Sequence, residues 1–549
     1  MNTSAHTLLS VFQANGIDRI FQVPGESYIG ILDALGDFPK IDVVTCRHEA
    51  GAGFMACADA RLTQRPGVLM VSRGPGASNA AIALHTAQQD ALPLILIVGQ
   101  VPKKDLRKEA FQEIDYQHMF GSIAKWVFEA TDAEQLGECA FKAIRMATSG
   151  TPGPVVLVIP EDVQQQISPA AAWVARPPAA TTAAAPVLAE LKALLTSAQR
   201  PLIIAGDAFD RPQGREALLA FAQSWQIPVA VAFRQHDLFP NRHPLFVGDL
   251  GLSNPAHQMA AFQRSDLILA LGTRLDDIST QGYSFPQLPQ PAQTLVHCYP
   301  DDHVVGLHFA PHIGLTCDPL TLIQDLTLSA RSQSAEVWQP WGQELRSHYK
   351  KIAAWPVRDA ANEVGDGIPF VKVVHELARQ APPDVLLCLD AGTFAAPVYR
   401  HFPFTYPQRL MASLSGAMGY GTPAAIACQL RLPKAPVICL VGDGGFMMTG
   451  NEMIAAVERK LPILFILSNN NSYGSIRIHQ ERNYPGRHVG TNLFNPDFVR
   501  IAQGFGLPSE LVCEDSQIAP AIARGLAASG PYFIEVKTSL QASLPVRGD

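Results

Sequence analysis

At 549 residues, 47% hydrophobic and 17% charged, the chain has a globular composition and length for about three or four ordinary domains. Its net charge of −7, with no dense Lys/Arg run, argues against electrostatic binding to nucleic acid or an anionic membrane. No apolar run approaches the roughly 20 residues needed to span a bilayer.

The first segment, MNTSAHTLLSVFQANGIDRIFQVPG, lacks the basic start and unbroken apolar stretch of a signal peptide. The nine cysteines are scattered without a CxxC pair, and most sit in apolar runs, so buried free thiols are expected rather than disulfides or a zinc site. The expected compartment is the cytoplasm.

In chain order, a first block carries the apolar runs IFQVPG (20–25), DVVTCR (42–47), GVLMVS (67–72), LILIVGQ (94–100) and VVLVIP (155–160). An Ala/Pro-rich stretch, 168–186, reads as a linker. A second block carries PLIIAGD, PVAVAF, DLILALG and TLVHCY, and the polar stretch 329–366 reads as a second linker. A third block carries VLLCLDAG, VICLVGDG, ILFILSNN and YFIEVKT. Short apolar runs without polar alternation, separated by helix-period stretches, predict parallel strands covered on both faces. The expected architecture is α/β, with three doubly wound parallel-sheet domains over 1–167, 187–330 and 366–545. VLMVSRGPGASNAAIALHTAQQDALPLILIVGQ in the first block echoes the strand–turn–helix–strand order of 437–471; an internal repeat or the ordinary grammar of the fold would produce that equally.

In VGDGGFMMTGNEMIAAVERKLPILFILSNNN, two predicted strands end at Asp443 and Asn470, 27 residues apart. One strand–helix–strand unit fits that separation, so both side chains can meet at the carboxyl edge of a parallel sheet, where ligands bind. Thr449 and Glu452 are expected to form a capping box for the intervening helix. A carboxylate and an amide oxygen suit a hard divalent cation that completes its shell with water and phosphate oxygens. Gly442, Gly444 and Gly445 would let a bulky anion approach the backbone. The pattern reads as a Mg²⁺–diphosphate site.

GDGG followed by SNN resembles the thiamine diphosphate motif. FQVPGES, RHEAGAGFMACADA, GPGASN, AFQE, PGPVVLVIPEDVQ, GTRLDD and SGAMGYGTPAAIA extend the likeness along nearly the whole chain, to the acetohydroxyacid (acetolactate) synthase and pyruvate oxidase group. The resemblance implies thiamine diphosphate and Mg²⁺ as cofactors. It makes Glu49 the carboxylate that activates the aminopyrimidine ring. Met418 would prop the coenzyme's bent shape and the Gly416 carbonyl would hold its amino group. Asp443, Asn470 and the main-chain oxygen of Ser472 would be metal ligands, with Gly392, Thr393, Gly444 and Gly445 around the phosphates. It also implies a homodimer or dimer of dimers with active sites between subunits. The reaction would be decarboxylation of a 2-oxo acid, followed by carboligation to a second carbonyl or by release of an aldehyde.

The substrate region departs from the biosynthetic synthases. Ile278 stands in GTRLDDI where the family has an arginine that grips the second substrate, and Glu161 replaces the lysine of IPKDIQ. Arg73 replaces the serine of SGPG, PGG becomes PGES with Glu26 and Ser27, and His479 takes the place of a common tryptophan. Phe111 and Gln112 of AFQE match, and Ile476 is a further expected pocket residue. Gln112 and His479 are catalytic candidates beside Glu49, His479 because an imidazole titrates near neutrality. Arg73, Arg477 or His479 could supply the missing cation. FAD is possible but doubted: Arg274 is retained, whereas the acidic segment of flavin-binding relatives has become HCYPDD. A nicotinamide or flavin oxidoreductase is disfavoured by the absence of a GxGxxG fingerprint, and a non-catalytic paralogue by the presence of Glu49.

Overall fold

The computed structural model describes residues 2–169, 173–176, 179–328, 334–356 and 365–544, with backbone only for 334–337. The two linker stretches expected from sequence therefore lie partly outside the described residues.

Three six-stranded parallel sheets follow one another along the chain. The first comprises β1 (Arg19–Gln22), β2 (Asp42–Thr45), β3 (Gly67–Ser72), β4 (Leu94–Gln100), β5 (Trp126–Glu129) and β6 (Pro154–Pro160). The second comprises β7 (Pro201–Ala205), β8 (Val229–Val231), β9 (Phe246–Asp249), β10 (Leu267–Leu271), β11 (Thr294–Tyr299) and β12 (Ile313–Thr316). The third comprises β13 (Leu386–Leu389), β14 (Arg409–Ala412), β15 (Val437–Gly442), β16 (Ile463–Asn469), β17 (Ser509–Val512) and β18 (Tyr532–Lys537).

Within each sheet, numbering strands from its own first, the first and third share the order 2-1-3-4-6-5, so the echo in the sequence extends to topology. The middle sheet has the order 3-2-1-4-5-6, that of dinucleotide-binding folds. Central strands such as β4, β6 and β16 are buried at every position, as continuous apolar runs require.

The stretch read as a polar second linker contains a helix, Ser334–Ala353. Trp338, Trp341 and Leu345 recur at helical spacing and are buried against the middle sheet. The indole N–H groups of Trp338 and Trp341 donate to the Ala198 and Pro201 carbonyls, both at 2.9 Å. The segment is a covering helix of the middle domain whose charged residues disguise its apolar stripe.

A buried ion network joins all three domains. Asp210 accepts from Arg61 of the first (2.9 Å), Arg215 of the middle (2.6 Å) and Arg409 of the third (2.6 Å). Asp237 pairs with Arg215 at 2.9 Å and Arg409 at 3.2 Å. Burial alone would raise the Asp210 carboxyl, but the guanidinium groups of Arg409, Arg215 and Arg61 hold it well below the usual range. All nine cysteines are free, and only Cys513 is exposed. No described helix is long and apolar enough to cross a membrane.

Candidate active site

The carboxyl ends of β13, β15 and β16 surround a cavity of about 210 Å³. Gly392, Thr393, Gly416, Met418, Asp443, Gly444, Gly445, Asn470, Ser472 and Ile476, all singled out in the sequence, line it together. It is a cleft between loops at one sheet edge, and each loop begins where a buried apolar strand ends.

Asp443 is the first residue of the short helix Asp443–Thr449, where an anion meets unpaired backbone N–H groups. Its side chain is almost fully buried; Oδ1 accepts from Gly444 N–H at 2.9 Å and Oδ2 from Asn495 Nδ2 at 2.8 Å. Burial raises its carboxyl above the ordinary value, against the lowering pull of these donors. Asn470 Oδ1 accepts from Ser472 N–H at 3.0 Å, and Ser472 O accepts from Gly474 N–H at 2.8 Å. Three hard oxygen donors thus border one cleft, a set that suits Mg²⁺ and a diphosphate.

The glycines here are required by close approach. A Cβ on Gly444 would lie 2.6 Å from the Tyr473 ring, and one on Gly445 would lie 2.6 Å from Asp390 Oδ2. Both positions therefore exclude a side chain, which lets the helix start pack closely against Tyr473 and Asp390 at the edge of the cleft. Gly416, at φ +67°, turns the loop that carries Met418 into the cleft.

Two buried carboxylates were not anticipated in these roles. Asp390, at the end of β13, accepts from Ala391 N–H at 2.7 Å and from Gly419 N–H at 2.9 Å, so it fixes the Met418 loop from beneath. Burial pushes it up to about 7 in spite of those donors. The capping box expected of Thr449 and Glu452 does not form. Thr449 Oγ1 donates to the Gly419 carbonyl at 2.6 Å, and the helical stretch breaks into Asp443–Thr449, a 3₁₀ turn and Met453–Glu458. Glu452 instead reaches the first domain, accepting from Arg47 N–H at 3.0 Å and His48 N–H at 2.9 Å. It satisfies donors at the start of the helix that carries Glu49, and burial pushes it up to about 7. Asn495, 52 residues beyond Asp443, also contacts Asn469 Oδ1 at 2.9 Å.

The first-domain candidates gather at the corresponding edge of their own sheet. Glu49 begins the helix Glu49–Thr63, and its Oε2 accepts from Asn79 Nδ2 at 2.9 Å. Ser27 Oγ lies 2.9 Å from Ser72 Oγ, and Gly74 N–H donates to the Gln112 carbonyl at 2.9 Å. Arg73 Nη2 donates to Glu161 Oε2 at 2.8 Å. Glu26 is exposed, and Phe111 is 76% exposed. Among the described residues the third-domain cleft has no lining from the first domain, so the two clusters do not meet within this chain. His479 is exposed one helical turn beyond Ile476 and does not line the cleft. Ile278 is half-buried in the middle domain.

Three α/β domains with a diphosphate-type cleft at the GDGG edge define the thiamine diphosphate-dependent class. Three family models agree: "Thiamine pyrophosphate enzyme, N-terminal TPP binding domain" matches residues 2–119, the central domain 188–326, and the C-terminal TPP binding domain 390–536. The chain belongs to the thiamine pyrophosphate enzyme family and resembles acetolactate synthase large subunits. It is 28% identical to the acetolactate synthase isozyme 2 large subunit of Escherichia coli, covering 97% of this chain and 95% of that one. It is likewise 28% identical to the probable acetolactate synthase large subunit of Methanocaldococcus jannaschii, over 99% and 93% of the two chains. Among solved structures, the thiamine diphosphate-dependent 4-hydroxybenzoylformate decarboxylase of Rhodococcus jostii RHA1 has the same fold, with a TM-score of 0.84 at 23% identity over 98% of this chain and 99% of that one.

Proposed function

We propose that the protein is a thiamine diphosphate- and Mg²⁺-dependent enzyme that decarboxylates a pyruvate-like 2-oxo acid and ligates the remaining acyl carbon to a second carbonyl. The observation that carries this reading is the convergence of Asp443, Asn470 and Ser472 with the glycine backbone at one cleft. Asp443, the Asn470 side-chain oxygen and the Ser472 carbonyl would hold the metal, and the Gly444–Gly445 backbone the diphosphate. The coenzyme supplies, when bound, the nucleophile and electron sink for loss of carbon dioxide. Met418 bears on its position from the cleft wall, and Glu49 holds a proton on the pyrimidine side.

Because Glu49 and this cleft do not meet in one chain, the reading includes a homodimer, alone or paired into a tetramer, in which the first domain of one copy faces the third domain of another. Exposed Phe111, Met447, Met448, Ile476 and Phe494, beside the two clusters, favour such an association. A second reading, a decarboxylase releasing an aldehyde, is favoured by Ile278 where a carboxylate-gripping arginine is expected.

NMR of products from pyruvate, 2-oxobutanoate and benzoylformate, each with protein, thiamine diphosphate and Mg²⁺, tests both. Acetolactate from pyruvate supports the first reading and acetaldehyde the second. Consumption of none of the three contradicts both.

A further inference from the structure

Two of the substrate-region departures in the sequence, Arg73 and Glu161, are one change in three dimensions. Glu161 follows β6 and Arg73 follows β3, 88 residues apart, yet Arg73 Nη2 donates to Glu161 Oε2 at 2.8 Å. Where the family pattern has a cation at 161 and a small polar residue at 73, this chain has exchanged the sites of charge. The Arg73 side chain is 12% exposed, and its buried Nε has no hydrogen-bond partner among the described residues. An arginine buried this far with a free donor is unsatisfied in the protein alone. Its backbone is in the left-handed region at φ +28°, a conformation a non-glycine residue holds only when its surroundings impose it.

The neighbours impose a particular placement. Gly74 N–H is fastened to the Gln112 carbonyl, and Ser72 faces Ser27. A Cβ on Gly76, one turn along the same helix, would lie 3.3 Å from Glu49 Oε1. Arg73 is therefore held within a helical turn of the expected proton-holding carboxylate. A guanidinium fork with one arm on Glu161 leaves the rest of its donors for a planar, bidentate anion.

We propose that Arg73, held by Glu161, grips the carboxylate of the acceptor substrate, a 2-oxo acid, and so performs the task for which Ile278 is unsuited. This rests on the proposed 2-oxo acid reaction and assigns its acceptor. The grip suits the acceptor and not the donor. The donor loses its carboxylate as carbon dioxide, and charge-assisted bonds to that group would stabilise the state before its loss. The acceptor keeps its carboxylate: its carbonyl carbon gains the bond to the donor's acyl carbon, and its oxygen takes a proton. Arg477 is the rival cation, but its Nη1 donates to Asn492 Oδ1 at 3.2 Å.

The test compares Arg73→Ser, Glu161→Gln, Arg73→Ser/Glu161→Lys and Arg477→Gln, each loaded with thiamine diphosphate and Mg²⁺. Calorimetry with lactate, a carboxylate without a ketone, reads the grip without turnover. Lactate affinity is expected to fall about tenfold or more in Arg73→Ser, to fall less in Glu161→Gln, and to recover in the double variant. Product NMR from pyruvate is expected to show acetolactate falling relative to acetaldehyde in Arg73→Ser and recovering in the double variant. Unchanged lactate affinity in Arg73→Ser, or loss in Arg477→Gln alone, overturns the proposal. A wild type that binds lactate through Arg73 but consumes no 2-oxo acid would overturn the proposed reaction and leave the anion grip standing. Should Arg73→Ser fail to fold, Glu161→Gln against the wild type decides, with unchanged lactate affinity counting against the proposal.

Discussion

Glu49 and Asp443 carry the same functional group into opposite tasks. Asp443 is buried among N–H donors at the start of a short helix and, in the proposed reading, holds a cation; Glu49 is half-buried, accepts from Asn79 and, in the same reading, works on the coenzyme's pyrimidine ring. Glu49→Gln is therefore expected to lower turnover by about a hundredfold or more while coenzyme affinity changes little; steady-state rates and a coenzyme titration check the pair. Gly445→Ala places a methyl group 2.6 Å from Asp390 Oδ2 and must displace the carboxylate that holds the Met418 loop, so weakened coenzyme binding is expected by calorimetry, together with a fall in melting temperature. At this scale Asp443 and Asn470 were legible because their separation fits one strand–helix–strand unit. Asn495 was not: it reaches Asp443 only through the return of a loop, and an Asn before Pro reads as a turn residue.

The strands show where sequence pattern fails at the level of elements. Every central strand announces itself as a continuous apolar run. The five strands without such a signal, β5, β9, β12, β14 and β17, all lie at sheet edges, where one side is unpaired and cover is partial. β5 is only half-buried along its length, and β12 alternates buried with exposed. The helix Ser334–Ala353 hid in the same way, its Trp338–Trp341–Leu345 stripe diluted by charge. Glu452 was legible as a cap but not as a cap for a helix some 400 residues away in sequence. Its role has a pH signature. With a folded value near 7 against an ordinary 4.5, it binds a proton in the folded state that the unfolded chain releases. The stability it contributes is present below about pH 4.5 and is lost as pH rises through about 7. Glu452→Gln lacks that titration, so in melts of the coenzyme-free protein it should gain stability relative to wild type between pH 5.5 and pH 8. A constant difference across that range would contradict the assignment.

Across the whole molecule, the domains are held as one body by Asp210 and Asp237 with Arg61, Arg215 and Arg409. Removing the Arg409 guanidinium takes one charge-assisted hydrogen bond from each of the two buried carboxylates, so Arg409→Met is expected to cost about 3–5 kcal/mol, read as a shift in the denaturation midpoint. That cooperation fixes each domain pair within a chain, yet it leaves Glu49 and the Asp443 cleft apart. Nothing in a single sequence's periodicity could reveal that separation, since strand and helix patterns report burial within a domain and not which copies meet. The measurement that bears most directly on the central claim, a site shared between two copies, is complementation. Differently tagged Glu49→Gln and Asp443→Ala chains are co-expressed, and the mixed species is purified and given pyruvate, thiamine diphosphate and Mg²⁺. Each variant alone should be inactive; the mixed species should regain product formation, because one of its two sites combines an intact Glu49 with an intact Asp443. A mixed species as inactive as its parents would contradict the account and place both residues' work within one chain.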